Sequence, residues 1–348
     1  MSDYHLSVIR PSDTRAQRAL TALLQREGIS RDRNLDYTVG LFDDGMRLVA
    51  TGSTFGNTLR CLAVDGEHRG EGLLAQVLTS LIERQVERGY GESFLYTKPE
   101  TARFFADLGF YEIERVPGKL VFMTDRPRAF EAYLAALRRN APLSGRAAAV
   151  VMNANPFTLG HLHLLEKASR ENDVVHVFVV SEEMSLVPGP VRFKLVREGS
   201  AHLPNVLCHP SGSYIVSSAT FPSYFLKDDE TVTRTQAELD IRVFGHIARA
   251  LSIARRYVGE EPFSGITRIY NDAMIELLPA FGVEPIIVPR VKANGVAISA
   301  SRVRQLIHDG PVEAIRPLVP LPTYAFFTSE EGRPVVEAIR ASDRVIHD

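Results

Sequence analysis

"VVMNANPFTLGHLHLL", residues 150–165, stops an apolar run abruptly and starts a second one. Val150, Val151 and Met152 read as a buried strand. Leu159, Leu162 and Leu165 recur at helical spacing. Between them stand Asn153, Asn155, Thr158, Gly160 and His161, with His163 one step further on. A helix start carries unpaired N–H groups and the positive end of the helix dipole, so it favours an anion. Gly160 has no Cβ and lets a ligand approach the backbone. Thr158 serves as an N-cap or as a hydroxyl donor. A Walker A loop is absent, because Gly-x4-Gly-Lys-Ser/Thr does not occur here. The turn therefore predicts a polyanion site built from a helix start, Thr and His, suited to a nucleoside triphosphate.

Outward from this turn, strands and helices alternate. Strands are expected at 147–153, 174–181, 205–209, 266–271 and 283–290, and helices at 160–172, 192–203, 237–251 and 299–310. Such alternation means an α/β, doubly wound, Rossmann-like parallel sheet, with ligands at the carboxyl ends of the strands. Residues 1–125 read differently. Helices at 14–28, 72–90 and 100–109 are mixed with strands within 37–64, at 93–98 and after 109, which makes an α+β domain. Residues 126–146 read as a connecting helix and a Pro/Gly/Ser turn. The expected division is 1–125, 126–146 as connector, and 147–348.

With 348 residues the chain exceeds what one core usually supports. A formal net charge of −2 gives no basic footprint for nucleic acid. No apolar run approaches the roughly 18 residues of a membrane span, and the opening "MSDYHLSVIRPSD" lacks a signal-peptide core. Two cysteines, Cys61 and Cys208, make no disulfide framework and fit a cytoplasmic location. Metal-ligand spacing is missing, so no structural metal site is expected.

"NPFTLGH" resembles the Thr/His-x-Gly-His motif of the nucleotidylyltransferase superfamily, and "AISASRVR" (297–304) resembles its Ile-Ser-Ser-Thr-x-x-Arg signature. The resemblance implies that Thr158, His161 and Arg304 are catalytic. It implies that Asn153, Asn155, Gly160, His163, Ser299 and Ser301 bind ATP. "AELDIRVFGHIARALSIARRYVGEEP" (237–262), "TRIYNDAM" (267–274) and "RVKANGVAISASRVR" (290–304) extend the likeness to the citrate lyase ligase family. That family implies an acid–thiol ligase using ATP and Mg²⁺. Acetate and ATP give acetyl-AMP and pyrophosphate. The acetyl group then passes to the thiol of a dephospho-CoA-like prosthetic group on the citrate lyase acyl carrier subunit.

"VDGEHRGEGLLAQVLTSLI" (64–82) resembles the Arg-x-x-Gly-x-Gly/Ala loop of GNAT acyltransferases, which binds the pyrophosphate of an acyl-CoA. Arg69, Gly70 and Gly72 are its candidate carrier-arm residues. Leu74 stands where Gly or Ala is usual, which narrows the space for the pyrophosphate of free acetyl-CoA.

Arg192, after the second strand of the sheet domain, is read either as a further ATP or acetate ligand or as half of a surface salt bridge. Asp240, Arg242, Asn271 and Asp272 either line the pocket or are structural. His246 and His308 read as surface or packing residues. Three other activities stay open at this level: a nucleotidylyltransferase with a stable adenylated product, a GNAT-type acetyltransferase, and a carrier-docking protein without catalysis.

Overall fold

The computed structural model describes residues 4–139, 141, 145–181, 185–215, 221, 229–260, 265–293 and 295–342. Positions 140 and 142–144 of the expected connector turn, and 182–184 after the second strand of the parallel sheet, lie outside the described residues. Two compact units form. One comprises Met1–Glu131 with Thr220–Leu239, the other Ala132–Ala219 with Asp240–Asp348.

The first unit runs β1 (His5–Val8), α1 (Thr14–Arg26), β2 (Tyr37–Phe42), β3 (Leu48–Phe55), β4 (Thr58–Val64), α2 (Leu73–Glu87), β5 (Phe94–Thr97), α3 (Pro99–Asp107), β6 (Tyr111–Val116) and β7 (Leu120–Thr124). Asp13 caps α1 by accepting from the Ala16 N–H at 3.0 Å. The seven strands lie in the order β1-β2-β3-β4-β5-β7-β6. Leu73, Val77, Leu78 and Leu81 of α2 pack with Val39, Val49 and Leu59 in one cluster. Leu20, Leu23 and Leu24 of α1 pack with Leu48, Cys61 and Ala63 in another. The α+β character expected for this part is present. Strands β1 and β7 escaped the sequence reading. β4 and β5 run parallel but pair only at Thr58–Phe94 and Leu59–Leu95, so they part beyond Leu59.

α4 (Ala129–Arg139) comes next, and the division between the units falls within it, after Glu131. The second unit follows with β8 (Ala147–Met152), α5 (Leu159–Glu171), β9 (Val174–Val179), α6 (Gly189–Gly199), β10 (Val206–Pro210), α7 (Asp229–Leu251), β11 (Ile253–Gly259), α8 (Gly265–Leu277), β12 (Glu284–Val288), the two-residue strands β13 (Lys292–Ala293) and β14 (Val296–Ala297), α9 (Ala300–Asp309), α10 (Leu321–Phe327) and α11 (Arg333–Arg340). Its five-stranded sheet has the order β10-β9-β8-β11-β12, and every pairing in it is parallel. This is the doubly wound arrangement expected. The strand order reverses between β8 and β11, and the crevice for a ligand lies at the carboxyl ends there.

The short strands β13 and β14 and the helices α10 and α11 were not expected, and two further elements differ from expectation. Residues 266–271 are helical, within α8. "ITRIYNDAMIELL" places Ile266, Ile269, Tyr270, Ala273, Met274 and Leu277 at helical spacing, and Ala273 and Met274 are buried. A six-residue window is too short to separate that period from a strand. The strand at this point of the chain is instead β11, whose Arg255-Arg256 pair hides an otherwise apolar run. Arg256 is tolerated because it donates to Asp240 at 3.2 Å and lies over the Phe244 ring at 4.4 Å. Asp240 is thereby a structural residue. Tyr257, on the other face of the sheet, donates to Glu171 at 2.7 Å and accepts from Asn172 at 2.9 Å, both near the end of α5.

The neighbouring strands β9 and β10 bury a second polar pair. His176 Nδ1 and His209 Nε2 lie 3.0 Å apart. Burial, and for His176 also the neighbouring His209, pushes both imidazoles down to about 4.

Candidate active site

Thr158 caps α5 with extended backbone geometry, and its Oγ1 accepts from the His161 N–H at 3.4 Å. The reciprocal bond runs from the Thr158 N–H to His161 Nδ1 at 3.1 Å. A histidine here takes the place that Glu or Gln holds in the ordinary capping box. A backbone N–H can only donate, so Nδ1 accepts and the ring proton sits on Nε2. Burial, and then the charge of Arg290, push His161 down to about 4. His161 is therefore a neutral imidazole at physiological pH, oriented from behind and carrying one N–H donor. The stacked ring of fully buried Phe157, at 5.9 Å and 13°, fixes its plane further.

The second helix start meets the first. Ser299 caps α9 by accepting from the Arg302 N–H at 3.1 Å, and its Oγ lies 3.1 Å from Ser301 Oγ. A Cβ on Gly160 would stand 3.3 Å from the Ile298 carbonyl oxygen. No larger residue fits at 160 without displacing the segment that opens α9. The two starts are cross-linked again by Arg304, which donates to the Asn155 carbonyl. Thr158, Gly160, His161, Ser299, Ser301 and Arg304, taken from stretches about 140 positions apart, are thus brought to one seam beyond the end of β8.

Other expected ligands have side chains engaged within the protein. Arg192 has no exposed surface. Its Nε donates to the Val187 carbonyl at 2.9 Å, and one terminal nitrogen serves the Asn153 and Val180 carbonyls at 2.7 and 2.6 Å. A fully enclosed guanidinium does not meet a ligand. It holds together the loops that leave β8 and β9, and it lies in the interior rather than at the surface expected of a salt bridge there. Asn155 is 3% exposed, and its Oδ1 accepts from the Val187 N–H at 3.0 Å. Asn153 Oδ1 accepts from Arg192, and its Nδ2 donates to Ser185 Oγ at 3.3 Å. His163 lies two residues beyond His161, about 200° round the helix, so the two rings do not share a face.

Arg290, which the sequence reading placed at the end of the strand 283–290 without a role, contributes its charge to the His161 ring. It lies two residues past β12, and its Nε donates to the Glu260 carbonyl at 2.8 Å, just past the end of β11. Among the described residues, no three His, Cys, Asp or Glu side chains gather as a metal cage, and no helix is long and apolar enough to cross a membrane.

The first unit carries its own candidate. Gly72 caps α2 with φ of +76°, and Gly70 has φ of +88°. Both positive values favour glycine, and a Cβ at either would meet nothing within 4 Å. The start of α2 is therefore an exposed set of backbone donors beside the parting of β4 from β5. Arg69 is exposed and pairs with Glu27 at 2.5 Å. Glu27 also accepts from the Gly66 N–H at 3.1 Å. Leu74 packs partly into the core under α2, so the narrowing expected of it is reduced.

Comparison with known proteins gives matches to each part. The family model described as the citrate lyase ligase C-terminal domain matches residues 147–327. The [citrate [pro-3S]-lyase] ligase of Klebsiella pneumoniae is 36% identical over 319 residues, 90% of this chain and 93% of that protein. The protein of the same name from Escherichia coli K12 is 34% identical, over 90% and 91% of the two chains. Among solved structures, a GNAT family N-acetyltransferase of Escherichia coli in complex with CoA is 19% identical, covering 36% of this chain and 82% of that one at a TM-score of 0.29. On its identity to relatives that it spans almost end to end, and on the family match through its parallel-sheet unit, the chain belongs to the citrate lyase ligase family.

Proposed function

We propose that the chain is an acid–thiol ligase that activates citrate lyase by acetylating it at the expense of ATP. Acetate and ATP form acetyl-AMP and pyrophosphate. The thiol of a dephospho-CoA-like group on the acyl carrier subunit then takes the acetyl group and releases AMP. The observation that carries this reading is the seam at Gly160 and Ile298, where two helix starts share one space. Their combined N–H groups and dipoles suit a triphosphate.

In the first step a carboxylate oxygen attacks the α-phosphorus, and the bond from that phosphorus to the bridging oxygen of pyrophosphate breaks. Charge builds on the phosphate oxygens, so the protein acts by positioning and by electrostatic stabilisation. His161 donates from Nε2 without needing to ionise, and Thr158 holds it in that tautomer. Gly160, Ser299 and Ser301 line the phosphate cradle, and Arg304 ties its two halves together. Mg²⁺ would be carried by the phosphates of ATP, since no carboxylate cage for it gathers among the described residues, and it would neutralise charge on the leaving pyrophosphate. The first unit holds the carrier arm, with the backbone donors at Gly70 and Gly72 against its pyrophosphate. Cys61 and Cys208 are both free thiols, which suits a reducing cytoplasm.

The test is exchange of label between pyrophosphate and ATP. Exchange is expected to depend on acetate and to fall about 100- to 1,000-fold in His161→Ala. Exchange without acetate would point to a different acceptor and to a stable adenylated product.

A further inference from the structure

Gly199 is the last residue of α6, and nothing in the backbone asks for glycine there. Its φ lies outside the left-handed region, and glycine is disfavoured within a helix. The reason is a neighbour. A Cβ at 199 would stand 2.5 Å from Phe157 Cε1, 2.9 Å from its Cδ1 and 3.8 Å from its Cζ, so the three nearest atoms all belong to one ring. That ring has no exposed surface. It shares a core cluster with Leu164, Leu165, Leu195 and Val196, so close packing leaves it little room to swing clear.

The same ring stacks on His161, with centroids 5.9 Å apart and planes 13° from parallel. Two contacts therefore orient the imidazole. The Thr158 N–H holds the Nδ1 edge at 3.1 Å, and the flat face of Phe157 sets the plane. The second contact belongs to α6. Arg192 precedes Gly199 by seven residues, about two turns, and so lies on the same helix face. Its guanidinium donates to the Asn153 carbonyl at 2.7 Å and to Asn153 Oδ1 at 2.5 Å. One face of α6 thus grips the turn from Asn153 to Thr158 at both ends, by a charged side chain at one and by a missing side chain at the other.

We propose that Gly199 and Phe157 are positioning residues for the adenylation step. The notch at Gly199 seats the Phe157 ring, and that ring holds the His161 imidazole at the angle from which Nε2 donates to the reacting phosphate. The proposal rests on the adenylation reading above and adds to it α6 as the wall behind the donor. Both residues are buried, so they act through His161. With a methyl at 199 the Phe157 ring must retreat by about 1 Å to regain ordinary carbon–carbon contact. The retreat passes to the imidazole stacked on it. A catalytic group misplaced by about 1 Å costs near 100-fold in rate.

The experiment takes Gly199→Ala, Phe157→Val and the double variant as full chains, each checked for folding by circular dichroism. Acetate-dependent pyrophosphate–ATP exchange gives kcat and KM. The imidazole nitrogen NMR signals of His161, assigned by their loss in His161→Ala, report its ring. Gly199→Ala is expected to lower kcat by about 10- to 100-fold, with the KM for ATP and for acetate within about threefold. The His161 signals should move. Valine lacks the ring atoms that the methyl would meet, so Phe157→Val should lower kcat by itself and Gly199→Ala should add nothing to that loss. Parental kcat and parental His161 signals in Gly199→Ala would overturn the proposal. An equal loss from Gly199→Ala with and without Phe157→Val would overturn it too, because the effect would not run through the ring. Absence of acetate-dependent exchange in the parent chain would sink the adenylation reading itself, and this proposal with it.

Discussion

Replacing Gly160 by alanine tests the seam directly. The added methyl would stand 3.3 Å from the Ile298 carbonyl oxygen, 3.5 Å from Thr158 Oγ1 and 3.8 Å from Ile298 Cβ. The first distance is the tight one, and Ile298 has little room to retreat. Its own N–H is bonded to Val291 at 3.0 Å, and it is buried at 6% exposure. Overpacking of this kind costs about 1–3 kcal/mol. Alanine in place of glycine inside a helix returns roughly 0.5–1 kcal/mol. The net loss is then about 0.5–2 kcal/mol, or a fall in Tm of roughly 2–6 °C for a unit of about 200 residues. The functional effect is expected to be the clearer one. A misplacement of about 1 Å costs near 100-fold, and the cradle halves shift by a few tenths of an ångström. Together with a methyl intruding on the phosphate space, this lowers acetate-dependent exchange by about tenfold. Gly259→Ala is the control for stability. A Cβ there meets no atom within 4 Å, so the change should stay within about 0.5 kcal/mol. A Gly160→Ala chain with unchanged Tm and unchanged exchange would show that the two helix starts do not enclose a ligand between them.

Arg192→Met removes the clamp on Asn153, Val180 and Val187 and leaves buried carbonyls without a donor. It should cost about 2–4 kcal/mol in urea unfolding, and unchanged stability with lost ATP binding would restore Arg192 as a ligand. The His176–His209 pair is held neutral, with folded values near 4 against about 6.5 when unfolded. The unfolded chain binds more protons between those values, so stability is complete above about pH 6.5 and is lost as the pH falls towards 4. The loss is on the order of 3 kcal/mol for each histidine. Urea midpoints that do not move between pH 7.5 and 4.5 would contradict this. Gly72→Glu sets a negative charge and a strained left-handed residue at the start of α2. It should depress carrier acetylation while acetate-dependent exchange survives, and equal loss of both would end the division of labour between the units.

Much of this was legible along the chain because the signals are local. Thr158 and Ser299 mark helix starts by a hydroxyl at the cap, and Asp13 marks that of α1 by a carboxylate. Apolar runs interrupted at regular intervals gave the parallel sheet. Where the sequence reading failed, the deciding neighbour was distant. β11 was not read as a strand, and its Arg256 is accommodated by a partner and a ring, Asp240 and Phe244 of α7. α8 was mistaken for a strand because six residues contain less than two turns of its period.

The sequence by itself determined most of the elements, the two helix starts and the choice of glycine, serine and histidine at them, since capping and periodicity depend on residues at most a few positions apart. Only the tertiary structure decided which polar residues are enclosed and which keep exposed surface. Arg192, Arg290 and Arg304 are chemically identical in the chain. Burial against main-chain carbonyls encloses Arg192 and all but encloses Arg304, while Arg290 remains half-buried. That difference is set by chain segments that meet across the sheet, and no local pattern encodes it.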